Sequence, residues 1–258
     1  MEAAVKKIQY TVISIIIWLA VWYLSALFIN KPLFLPGPMD TAKAIFALLR
    51  TKECYESVLF SLLRISAGYF IGFVSGIVLA SAASTCDFLG IFIDTPVKII
   101  KAVPVASFVV LSLLWVNSES LSTIVCATMV MPVIYTNVKS SIAHTDSKKL
   151  EMAEVFRISF VKKIFYIYLP DVFPSLISAA VIASGFAWKS GVAAEIIGLI
   201  RNSIGNRIYQ SKIYLETSNL FAWTIILVIL SVIFEKLISF LLTGLQKLTG
   251  GTIHDRTQ

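Results

Sequence analysis

Two ionisable residues, Lys189 and Glu195, fall with Ser190 inside a long apolar stretch of a 258-residue chain. Charged groups in such stretches are rare and mark solute or ion pathways. Six helical residues turn through about 240° net, so the two side chains do not share a face and make a poor ion pair. One expectation is that Lys189 faces a pathway and attracts an anionic solute, while Glu195 orders its outer gate. The other is an interfacial lysine and a glutamate satisfied by a neighbouring helix. Chemistry of other kinds lacks its residues. No GxxxxGK[ST] loop is present to cradle the phosphates of ATP. His144 and His254 are the only histidines and belong to no HExxH pattern. Cys54, Cys86 and Cys126 have no paired spacing, so neither a metal site nor a redox pair is supported. Paired intramembrane acids and a ladder of arginines are missing too, which removes proteolysis and voltage sensing.

Such residues need elements to hold them, and the composition says which. The chain is 57% hydrophobic and 14% charged, with a mean hydropathy of +0.84. Soluble domains carry about 45–50% apolar and about 25% charged residues, so lipid is the expected solvent for much of the surface. The net charge of +7 follows from lysines and arginines held on one membrane face, with no need of a nucleic-acid partner. Apolar runs at about 10–29, 62–84, 103–116, 121–138, 171–199 and 220–242 predict six membrane spans in one domain, 1–258. The first is too long for a signal peptide and has no small-residue cleavage site. Residues 41–63 form an amphipathic stretch expected on the outer surface, with Asp40 as its cap. Residues 86–101 are expected as a short inner connection. Gly68, Gly72, Ser75 and Gly76 predict close helix packing, and Pro132 an interruption of the fourth span. Six spans with the amino end inside put both termini in the cytoplasm, and the basic segment 139–163 is the strongest support for that orientation.

Between the fourth and fifth spans, the loop 145–170 reads Glu151-Met152-Ala153-Glu154-Val155-Phe156-Arg157, then nine residues, then Ile167-Tyr168-Leu169-Pro170. This resembles the EAA loop of ABC importer permeases, in which EAA, three residues and a glycine precede nine residues and I-x-L-P. Met152 replaces an alanine and Arg157 stands at the glycine. Phe34-Leu35-Pro36-Gly37-Pro38, Ser61-Leu62-Leu63-Arg64 with Gly68, Ala102-Val103-Pro104 leading to Leu114-Trp115, and Ala187-Trp188 leading to Val192-Ala193-Ala194-Glu195 are similar to the nitrate/sulfonate/taurine group of these permeases.

The resemblance implies an all-α, six-span permease of the type I, MetI-like architecture. It implies ATPase coupling through Glu151, Ala153, Val155, Phe156, Arg157, Leu169 and Pro170, while the charges inside the fifth span make Lys189, Ser190 and Glu195 the candidates for a translocation path. It also implies two ATP-binding cassette subunits that carry the ATP and Mg, with no catalysis, metal or cofactor in this chain. A second permease subunit, expected as a homodimer, and an extracytoplasmic solute-binding protein complete the assembly, in the bacterial plasma (inner) membrane. Thiamine-precursor pyrimidines are an alternative cargo. A standalone secondary transporter is the rival of another class; it predicts inverted repeats and leaves the EAA-like loop unexplained.

Overall fold

The structure is a computed structural model that describes residues 2–248; His254 lies outside them. Eleven α-helices and no strand occur among the described residues. They are α1 (Glu2–Ile29), α2 (Pro38–Leu48), α3 (Lys52–Ala83), α4 (Asp87–Ala102), α5 (Val105–Ser112), α6 (Ser118–Ala143), α7 (Ser147–Val155), α8 (Phe160–Lys163), α9 (Leu169–Ile197), α10 (Ile204–Ile213) and α11 (Thr217–Leu248). A π-helical turn, Ile164–Tyr168, joins α8 to α9. Five stretches among the described residues are long and apolar enough to cross a membrane: Gln9–Ile29, Lys52–Ala83, Ser118–Ala143, Phe160–Ile197 and Thr217–Gln246. The chain folds as two compact units, one from residues up to Phe60 with Arg201–Ile229, the other from Ser61–Ile200 with residues from Leu230 on.

In the first unit, the Pro-rich break after α1 is pinned from both sides. Trp22 Nε1 donates to Pro36 O at 3.1 Å, and Thr217 Oγ1 donates to Leu33 O at 2.6 Å. Trp22 also stacks on Phe221, with centroids 6.0 Å apart. Arg207 of α10 donates to Ser57 Oγ and pairs with Glu53, fixing α10 to the first turns of α3. The amphipathic stretch expected over 41–63 is thus two elements. α2 ends at Leu48, and Lys52 already begins the continuous α3, ten residues before the predicted span.

The second unit is built on glycines. A Cβ at Gly68, Gly72 or Gly76 would meet α6 at 2.5–2.9 Å: the Thr123 carbonyl and Cys126, then Ala127 and Val130, then Met131 and Ile134. The partner numbers climb by four as the glycine numbers climb by four, so α3 and α6 run parallel at backbone-to-backbone range. Glu195, Gly191 and Ala180 of α9 approach Ser61, Ile65 and Tyr69 of α3 in turn, which makes α9 antiparallel to both. α11 runs beside α3, with Phe234 edge-on to Tyr69 at 5.3 Å.

Two parallel neighbours require a connection that returns along their length, and α4 with α5 supplies it. The pair is bent by 104°. Val103, before Pro104, takes φ −75°, ψ 127°, the extended region that a following proline imposes. Asp94 of α4 accepts from Tyr135 and Lys139 near the carboxyl end of α6. Val109 of α5 packs with Leu121 and Val125 near its amino end, together with Ala194 and Ile200. The inner connection and third span predicted at 86–101 and 103–116 are therefore two halves of one broken crossing. α6 runs unbroken through Pro132, and the Thr136 hydroxyl bonds the Pro132 carbonyl.

Candidate functional site: the loop between α6 and α9

The loop leaves α6 at His144 and builds a self-contained nine-residue helix. Asp146 caps α7, its Oδ1 accepting from Lys148 N at 2.9 Å, which satisfies one of the otherwise orphaned first-turn donors. At the other end Arg157 N donates to Glu154 O and Ile158 N to Ala153 O, both at 2.9 Å. Arg157 itself sits at φ 47°. This pair of bonds around a left-handed residue is the Schellman stop, whose favoured occupant is glycine. The motif's glycine position is thus a turn requirement, and Arg157 meets it at a steric cost of about 1–2 kcal/mol. The turn survives the substitution, and a guanidinium is displayed where the motif has no side chain.

α7 has two unlike sides. Ala153 is completely buried. Glu151 and Val155, four apart and so in one row, point roughly opposite to it and are exposed. Val155 is 79% exposed, Phe156 71% and Met152 51%, an apolar ridge flanked by Glu151, Glu154 and Arg157. Leu169 and Pro170 open α9 directly after the π-helical turn and do not sit on the ridge. Phe160–Ile197 covers 38 residues, about 57 Å of helix against a hydrocarbon core of about 30 Å. The stretch is thus longer than a crossing needs, and its α8 end carries exposed Phe160, Phe165 and Tyr166.

The three residues expected along a path are divided by the fold. Lys189 is on an exposed stripe of α9 with Ser178, Ile182 and Phe186, and a Cβ at Gly185 in the same stripe would meet nothing within 4 Å. Ser190 is buried and back-bonded to Ala187 O. Glu195 is wholly buried and accepts from Ser61 Oγ at 2.9 Å. Lys189 and Glu195 are not brought together, in keeping with their angular separation. Two lysine–aspartate pairs flanking the loop, Lys139–Asp94 and Lys149–Asp171, each 2.7 Å, carried no signal in the sequence, because their partners are 45 and 22 residues apart.

Residues 61–249 match the family described as "Binding-protein-dependent transport system inner membrane component". The chain belongs to this family. Among similar relatives of the permease is the putative aliphatic sulfonates transport permease protein SsuC of Bacillus subtilis (strain 168), 23% identical over 86% of this chain and 81% of that protein. The nitrate import permease protein NrtB of Synechococcus elongatus is 24% identical over 72% and 70%. The taurine transport system permease protein TauC of Escherichia coli (strain K12) is 19% identical over 89% and 86%. Of solved structures, an inward-facing MetNI methionine ABC transporter aligns with a TM-score of 0.55 at 16% identity, covering 76% of the permease and 93% of its own chain. An amino acid ABC transporter crystallised with histidines aligns at 0.52, over 87% and 97%. The fold is that of the MetI-type permeases, and the chain is a multi-pass transmembrane component of an ABC importer.

Proposed function

We propose that this permease moves a small solute of the nitrate, sulfonate or taurine kind, handed over by an extracytoplasmic binding protein. Energy comes from two separate ATP-binding subunits, which hold the ATP and Mg; this chain catalyses nothing and binds no cofactor. Each ATPase takes the apolar ridge of α7 into a groove, with Val155 and Phe156 as anchors and Glu151 and Arg157 at the rim. Two copies of the permease form the path between them, Lys189 facing it from the open stripe of α9. Both termini are cytoplasmic, on the side of the basic segment 139–163.

The observation that carries the reading is the ridge itself: large apolar side chains held out by a helix rigidly capped at both ends. Exposed anchors with charged surrounds are the pattern of a helix that fills a partner's groove, and interface energy concentrates in such anchors. The deciding experiment is affinity purification of tagged permease in mild detergent, wild type beside Glu151→Ala. The expected result is a co-purifying ATPase at two copies per complex, weakened or lost in the variant. A stable permease with no nucleotide-binding partner overturns the proposal.

A further inference from the structure

We propose that Lys149 is a positioning residue that latches the coupling helix directly to the fifth crossing, so that α7 and α9 move as one body when the ATPase moves α7. The inference rests on the reading of α7 as the ATPase's docking element. The direct covalent route from α7 to α9 is poorly suited to carrying a displacement. It passes through the left-handed turn at Arg157 and the non-helical link to Ser159 before helix resumes at Phe160 and runs on, through the π-helical turn Ile164–Tyr168, into α9. A non-helical link bends before it pushes, and the π-helical turn beyond it is an irregular spot in the helix.

Lys149 bypasses all of it. Its Nζ lies 2.7 Å from Oδ1 of Asp171, joining the first turn of α7 to the first turn of α9 across 22 residues of sequence. Asp171 follows Pro170, past the π-helical turn, so the bond grips α9 where its regular hydrogen bonding has begun. Lys149 stands one helical turn from the buried Ala153 and away from Glu151 and Val155, leaving the ridge free for a partner. Both side chains are partly exposed, 47% and 23%, and such pairs add little to fold stability. Loss of the pair therefore leaves the helices intact and removes the link between them.

Spin labels at Ser147→Cys on α7 and Ile182→Cys on α9 read that link in the whole complex, in a Cys86→Ser background with Cys54 and Cys126 buried, diluted with unlabelled permease. The label separation is measured by pulsed electron resonance without nucleotide and with Mg-ATP and vanadate. The expected result is one narrow distance in both states for the wild-type latch. Lys149→Asp acquires a nucleotide-dependent shift of several ångströms, because α7 follows the ATPase and α9 stays behind. The exchanged pair, Lys149→Asp with Asp171→Lys, restores the single unshifted distance. A Lys149→Asp trace identical to wild type overturns the latch. So does a broadening that is the same with and without nucleotide, which makes the pair a loop-shaping contact only, or a wild-type distance that itself shifts. Failure of the docking reading is seen separately, as an ATPase missing from the purified complex.

Discussion

At the scale of single residues, the informative position is Arg157. The spacing of the EAA-like motif marks it as the departure from the family pattern, and sequence alone leaves open whether the backbone departs too. The structure answers through geometry: φ is 47° and both Schellman bonds are in place. The arginine is a strained occupant of an intact turn. Arg157→Gly relieves that strain, worth about 1–2 kcal/mol for a non-glycine residue in the left-handed region, set against the extra backbone entropy of glycine when unfolded. The net expectation is a modestly more stable purified permease, melting about 2–4 °C higher by the scaling for chains of this size. If the guanidinium also contacts the ATPase, the same variant weakens co-purification while it raises the melting point. The two readouts thus separate the turn's need from the side chain's use. Glu195 teaches a related lesson. Sequence singled it out as a charge in an apolar run, and the fold spends it inside the unit against Ser61, 134 residues away, a pairing that no local pattern announces.

At the scale of elements, what was legible followed from period and composition, and what was not followed from contacts between distant segments. The close packing predicted from Gly68, Gly72 and Gly76 is present, because glycines one turn apart make a flat strip that only another backbone fills. The direction of the partner helix was not readable, since small residues admit parallel and antiparallel neighbours alike. In sequence α4 reads as a connection because Asp87, Asp94, Lys98 and Lys101 lower its apolarity. Asp94 is accounted for by Tyr135 and Lys139 on a helix 41 and 45 residues on. The glycine strip gives an element-scale prediction with an internal control. Gly72→Ala puts a Cβ 2.6 Å from the Ala127 carbonyl and 2.8 Å from Val130 Cβ, so α3 and α6 must part, at a cost of about 1–3 kcal/mol. Gly185→Ala, where nothing lies within 4 Å, gains the helix preference of alanine, about 0.5–1 kcal/mol. Thermal denaturation in detergent should therefore move in opposite directions for the two variants.

At the scale of the whole molecule, the side on which the α6–α9 loop emerges depends on one feature, the bent pair α4–α5. Were it re-entrant, α6 would start on the face where α3 ends, the two helices would be antiparallel, and the loop with its ridge would open away from the 84–86 connection. Were it a crossing, α3 and α6 would be parallel, and the loop would open on the same face as that connection. The glycine contacts decide for the crossing, since Gly68, Gly72 and Gly76 meet successively later residues of α6. The asymmetric ends agree, with α4 held near Lys139 and α5 near Leu121. The consequence is testable with a native probe. Cys86 is exposed while Cys54 and Cys126 are buried, so a membrane-impermeant maleimide reports the 84–86 connection without mutagenesis. Cys86 should label in inside-out vesicles and not in right-side-out ones. In a Cys86→Ser background, Ser147→Cys on α7 should label from the same side as Cys86, and Asn117→Cys from the opposite side. A shared side for Cys86 and Asn117→Cys contradicts the crossing. It would also carry the ridge of Val155 and Phe156 to the face where no ATP is found, so the coupling role would fall with the topology.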